Sequence, residues 1–132
     1  MDDSAQRVLV VEDDEDNRVF ITRTLENAGY AVFGAGTGED GIAQFEEHKP
    51  DLLIVDVLLP SISGWEVLRK VKTEFRDRHV PVIMLTVKDS DRDKLGGYVM
   101  GADYYIGKPF SMGLLLQVVA DLLKQAGEAV HE

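Results

Sequence analysis

At 132 residues, 45% hydrophobic and 29% charged, the chain suits one domain with a real core, since two cores of half that length would each be marginal. Its 24 acidic against 14 basic residues give a formal charge of −10, which argues against general binding to nucleic acid or anionic membranes and for attraction of cations. The lack of cysteine excludes disulfides and thiolate metal sites, while "MDDSAQR" at the start has no signal-peptide pattern and no apolar stretch is long enough to span a bilayer. A cytoplasmic location is the expectation.

Residues 1–6 read as a polar extension. "RVLVV" (7–11) predicts a first strand, followed by the acidic run "EDDED" (12–16) and a helix stopped at Gly29. "YAVFGA" (30–35) predicts a second strand, and "TGED" (37–40) opens a helix that Pro50 stops. "LLIVD" (52–56) is a third strand, after which Leu68, Val71 and Phe75 keep helical spacing. "PVIMLT" (81–86) is a fourth strand, and "SDRD" (90–93) opens a helix in which Gly96 and Gly97 each cost roughly 1 kcal/mol relative to Ala. "DYYIG" (103–107) is a fifth strand, and Ser111 caps a last helix carrying Leu115, Val118 and Leu122. Residues 7–125 form the expected domain and 126–132 a polar tail. Five strands, four of them nearly continuously apolar, alternating with five helices imply an α/β fold with a parallel sheet covered on both faces.

In an open parallel sheet, ligands bind outside the carboxyl ends of the strands. The first strand runs into Glu12, Asp13, Asp14, Glu15 and Asp16; the third ends in Asp56, the fourth in Thr86, and the fifth leads to Lys108. Asp56 is conspicuous, because a carboxylate inside the run Leu52 to Leu59 is costly to take from water unless paired or bound. Acids held close repel one another, and a bound cation relieves them; with no Cys and scattered histidines, their oxygens suit Mg²⁺ better than Zn²⁺. A lysine and a hydroxyl facing that cation make sense if a phosphoryl group also visits, which casts Asp56 as a carboxylate nucleophile.

The pieces "VLVVEDD", "DLLIVDVLLPSISGWEVL", "VPVIMLT" and "GADYYIGKPF", in this order and spacing, closely resemble the response-regulator receiver domain of two-component signalling over essentially the whole chain. The resemblance implies a flavodoxin-like, doubly wound five-stranded sheet of order 2-1-3-4-5. It makes Asp56 the phosphoacceptor, Asp13 a direct Mg²⁺ ligand, Glu12 a ligand through water, and the Leu58 carbonyl the remaining protein ligand. It assigns Thr86 and Lys108 to the phosphoryl oxygens, Thr86 and Tyr105 to the conformational switch, and a cis peptide to Lys108–Pro109. Implied partners are a sensor histidine kinase or histidine phosphotransfer protein and a downstream output protein or domain reached through the fourth helix, fifth strand and fifth helix, with room for a phosphorylation-dependent dimer. Direct contact with nucleic acid or membrane is not expected, and the domain would catalyse only its own modification, so it is not counted as an enzyme.

Three positions depart from the family or tune it. Val87 stands where Ala or Gly is usual and narrows the approach to Asp56, while Leu58 and Lys88 flank the phosphoryl group and bear on its lifetime. The "MDG" usual before the third helix is "ISG" here, a change expected to matter little. Other readings compete. "GTGEDG" (36–41) is a literal G-x-G-x-x-G with Asp56 twenty positions on, but Glu39 and Asp40 would face a pyrophosphate and the acid, Thr and Lys positions stay unexplained. An aspartate-nucleophile phosphatase usually carries a second acid where Leu58 stands. His48, His79 and His131 read as surface residues. An adaptor binding its partner without phosphorylation is the remaining alternative; it would lack an acidic, Thr or Lys position, and none is lost here.

Overall fold

The computed structural model describes residues 5–76, 79–86 and 102–131, the last four as backbone only. Its elements are β1 (Arg7–Val11), α1 (Glu15–Asn27), β2 (Ala31–Ala35), α2 (Gly38–His48), β3 (Leu52–Asp56), α3 (Gly64–Glu74), β4 (Val82–Thr86), β5 (Tyr104–Gly107) and α4 (Met112–His131). All strands pair in parallel in the order β2-β1-β3-β4-β5, as expected. The helix expected from "SDRD", with Gly96 and Gly97, lies outside the described residues, so four helices are described where five were expected. The final helix continues to His131, through residues expected to form a polar tail.

Alternation along each strand divides the core into two layers. Val8, Val10, Leu52, Ile54, Ile83, Leu85 and Ile106 pack with Ile21 and Leu25 of α1 and with Leu115, Val118, Val119 and Leu123 of α4. Leu9, Val11, Leu53, Val55, Val82 and Met84 pack with Phe45 of α2 and with Val67, Leu68 and Val71 of α3. Every residue of β3 and β4 is buried, which is why these strands read as unbroken apolar runs. Each large aliphatic side chain fully removed from water contributes roughly 1.5–3 kcal/mol, so the central strands anchor whatever is attached to their ends.

Local chemistry sets the helix ends. Asp14, from the acidic run, is the N-cap of α1, its Oδ1 accepting from the Asn17 N–H at 2.9 Å. Thr37 caps α2 through the Asp40 N–H. Ser63 and Glu66 form a reciprocal capping box at α3, a Ser-x-x-Glu signal present in "SGWE" that the sequence reading passed over. Ser111 Oγ accepts from the Leu114 N–H at 3.0 Å, as expected of a cap. Gly29, at φ 103°, turns the chain out of α1 in a conformation that L side chains rarely adopt.

The glycines of "GTGEDG" serve packing. A Cβ on Gly38 would stand 2.4 Å from Ile62 Cγ1, and one on Gly41 2.7 Å from Val11 Cγ2. They let α2 approach the sheet and the β3–α3 loop, which accounts for them without a dinucleotide.

Candidate functional site

β1 and β3 are neighbours in register, Val11 beside Val55, so their ends bring Glu12 and Asp56 together. Both are almost wholly buried, at 1% and 3% exposure, and they continue the parity of the α1/α4 layer. Asp13 is exposed, yet carboxylate oxygens of Glu12, Asp13 and Asp56 all lie within 4.8 Å of one another. From the end of β5, Lys108 closes the cluster, its Nζ donating to Asp56 Oδ2 at 2.6 Å and to Glu12 Oε1 at 2.9 Å. The remaining oxygens are also engaged: the Leu58 N–H donates to Asp56 Oδ1 at 2.9 Å and the Asp14 N–H to Glu12 Oε2 at 3.2 Å.

The electrostatics follow from that burial. Desolvation pushes the Glu12 carboxyl above its ordinary value, with repulsion from Asp56 adding to it and the Lys108 hydrogen bond opposing it. Burial alone would pull the Lys108 ammonium down, but its hydrogen bonds to Asp56 and Glu12 hold it above its ordinary value. One ammonium therefore serves two buried carboxylates, with Asp13 adding a third acid at the rim. An all-oxygen donor set with surplus negative charge fits a hard divalent cation such as Mg²⁺.

Thr86 is buried at the end of β4, and its carbonyl accepts the Lys108 N–H at 2.7 Å. It continues the parity of the α2/α3 layer, as does Tyr105, which pairs in register with Met84 and packs half-buried against Trp65 at 6.1 Å between ring centroids. Tyr104 faces the other way and is exposed. The peptide Lys108–Pro109 is cis. The Leu58 side chain is exposed, and the loop that carries it is tethered to α2 by the Ser61 hydroxyl donating to Glu39, which holds that carboxyl below its usual value. Val87 and Lys88 lie outside the described residues.

Two residues escaped the sequence reading. Gly64 abuts the site from behind: a Cβ there would stand 2.1 Å from the Asp56 carbonyl oxygen, and its N–H donates to the Val57 carbonyl at 2.9 Å. The glycine of "ISG" is thus the part of that triplet the fold requires. Arg18 reaches back from α1 to donate to the Glu12 carbonyl at 2.8 Å, a contact with no signature in a single sequence.

A strand-end cluster of three acids and a lysine on a doubly wound 2-1-3-4-5 sheet stands where such folds bind their ligands. The model of the response regulator receiver domain matches residues 8–120, and the chain belongs to that family. It is 40% identical over 106 residues to the alkaline phosphatase synthesis transcriptional regulatory protein PhoP of Bacillus subtilis (strain 168). That match covers 80% of this chain and 43% of PhoP, so the chain spans less than half of that relative. Among solved structures, a CheY-like receiver domain protein from Methanospirillum hungatei JF-1 superposes with a TM-score of 0.87 at 31% identity, covering 96% of this chain and 99% of that one. The Thermotoga maritima response regulator TrrA, in complex with Mg(2+)-BeF, gives 0.78 at 32% identity, covering 89% and 98%.

Proposed function

We propose that this receiver domain takes a phosphoryl group from a phosphohistidine partner onto Asp56 in a Mg²⁺-dependent reaction. The observation that carries the reading is Lys108 Nζ bridging Asp56 and Glu12 beside Asp13, a constellation with no need to exist in a purely structural sheet edge. Glu12, Asp13, Asp56 and the Leu58 carbonyl would hold the cation, which offsets charge as two anions approach. An Asp56 oxygen forms the new bond to phosphorus while the bond from phosphorus to the donor imidazole breaks, its electron pair leaving with the ring. Lys108 spends two of its three N–H donors on carboxylates and keeps one for a phosphoryl oxygen. Thr86 would take another oxygen, and Tyr105, on the same face of the next strand, would follow it inward.

On this reading the domain works in the cytoplasm, with a sensor histidine kinase or histidine phosphotransfer protein as donor and a separate output protein or domain as reader. Mg²⁺ at saturating concentration should raise the melting temperature by mass action, by the equivalent of about 2.7 kcal/mol at a hundred times its Kd. Asp13→Asn should remove most of that gain and Asp16→Asn, at an exposed position of α1, should not; differential scanning fluorimetry across a Mg²⁺ series reads both.

Phosphorylation itself is tested with acetyl phosphate. Intact mass should show one added phosphoryl group only when Mg²⁺ is present, and none in Asp56→Ala. An unmodified protein after exposure to a phosphohistidine donor as well would return the domain to the adaptor reading.

A further inference from the structure

Successive side chains of an extended chain point to opposite faces, yet Glu12 and Asp13 bring oxygens within 4.8 Å of one another and of Asp56. The chain leaves the extended conformation here, with a bend at Asp13 just after β1 ends at Val11. The peptide before Glu12 is held by the sheet, its N–H donating to the Ala35 carbonyl at 3.0 Å. The peptide after it is held from α1, by Arg18 Nη1 on the Glu12 carbonyl. The guanidinium reaches that point by lying across β2 where side chains are missing. A Cβ on Gly34 would stand 3.3 Å from Arg18 Cδ, and one on Gly36 3.2 Å from Nη1.

We propose that Arg18 is a positioning residue for the cation site: by clamping the Glu12–Asp13 peptide it aims two consecutive carboxylates at one point, and Gly34 and Gly36 keep its path open. This rests on the reading that the cluster holds Mg²⁺. The sign of the effect separates positioning from charge. A cation beside a cation site repels the metal, so an Arg18 acting only through its charge would bind Mg²⁺ more tightly when removed. A clamp acting on geometry does the opposite, as loss of a group orienting metal ligands commonly weakens binding by roughly 10- to 100-fold.

The test is calorimetric titration of Mg²⁺ alone into the full chain at fixed ionic strength. Arg18→Ala should raise Kd about 10-fold. Arg18→Lys, which keeps the charge and N–H donors but loses the planar fork, should recover part of the loss. Gly36→Ala keeps the guanidinium and crowds it, and should also weaken Mg²⁺. Labelling by acetyl phosphate should fall at low Mg²⁺ and return to near the unsubstituted rate at saturation. An unchanged or tighter Kd in Arg18→Ala overturns the proposal. Should that variant not fold, Arg18→Met, which keeps the aliphatic stem and loses the donor to the Glu12 carbonyl, overturns it equally if its Kd is unchanged. If the unsubstituted chain binds no Mg²⁺, the metal reading itself falls, an outcome distinct from a chain that binds Mg²⁺ indifferently to Arg18.

Discussion

Lys108→Ala, at neutral pH without divalent cations, should lose roughly 2–3 kcal/mol of stability, below the ~3–5 kcal/mol typical of breaking a fully buried pair because Lys108 keeps 21% of its side-chain surface. The loss arises because Glu12 and Asp56 remain buried with no ammonium between them. Its dependence on pH has a definite sign. Burial already raises Glu12 in the folded state, and removing Lys108 removes the strongest influence opposing that rise. An acid whose folded value exceeds its unfolded one binds more protons when folded, so the variant's stability falls as pH climbs from the ordinary carboxylate value through the raised one. The deficit should thus be smallest in acid and largest at neutral pH. Mg²⁺ should restore part of it by replacing the missing positive charge, while the response to phosphorylation stays impaired. Urea midpoints across pH, with and without Mg²⁺, give every term; an equal deficit at all pH values would mean that Lys108 matters for packing alone.

Gly64→Ala should be at least as damaging, for a different reason. The new methyl would meet the Asp56 carbonyl oxygen at 2.1 Å, the Asp56 carbonyl carbon at 2.8 Å and Val57 Cα at 2.9 Å, all backbone atoms that cannot swing aside. Overpacking of flexible side chains costs about 1–3 kcal/mol, and this contact should reach or exceed the upper end. Relief requires α3 and the end of β3 to part by about an ångström, which would misplace Asp56 and slow its labelling by acetyl phosphate roughly 100-fold. Gly127→Ala is the control: nothing lies within 4 Å of its Cβ position, and replacing a helical glycine should leave stability equal or higher. Denaturation midpoints and labelling rates for both variants check the contrast.

Much of this architecture was legible because the signals were local and redundant. All five strands were expected within one residue of their observed ends, since unbroken apolar runs flanked by glycine, proline and acids leave little choice for a parallel sheet. Glu12, Asp13, Asp56, Thr86 and Lys108 were expected at one edge because each ends or follows a strand. What escaped depended on approach distances between elements far apart in sequence. Gly64 looks like an ordinary helix-start glycine until α3 is laid against the end of β3, and Arg18 like a surface cation until its path over Gly34 and Gly36 is seen. Asp14 was not singled out from the acidic run 12–16 although it caps α1, because a carboxylate before a helix reads the same whether it bonds the backbone or water.

The pairing of β3 with β4, Asp56 beside Leu85, bears on how faithfully the site is assembled. A slip of one residue would turn Asp56 toward the layer that holds Val55 and send Val55 to the opposite one, and with it every apolar side chain of the strand. Because both layers are apolar, hydrophobicity alone does not forbid that exchange; the close fit of each side chain in its own layer and the loss of the Lys108 contact to Asp56 do. Register at Asp56 is thus set jointly by packing in the two layers and by the one polar residue of the strand, so the acid cluster helps to specify the strand whose end it occupies.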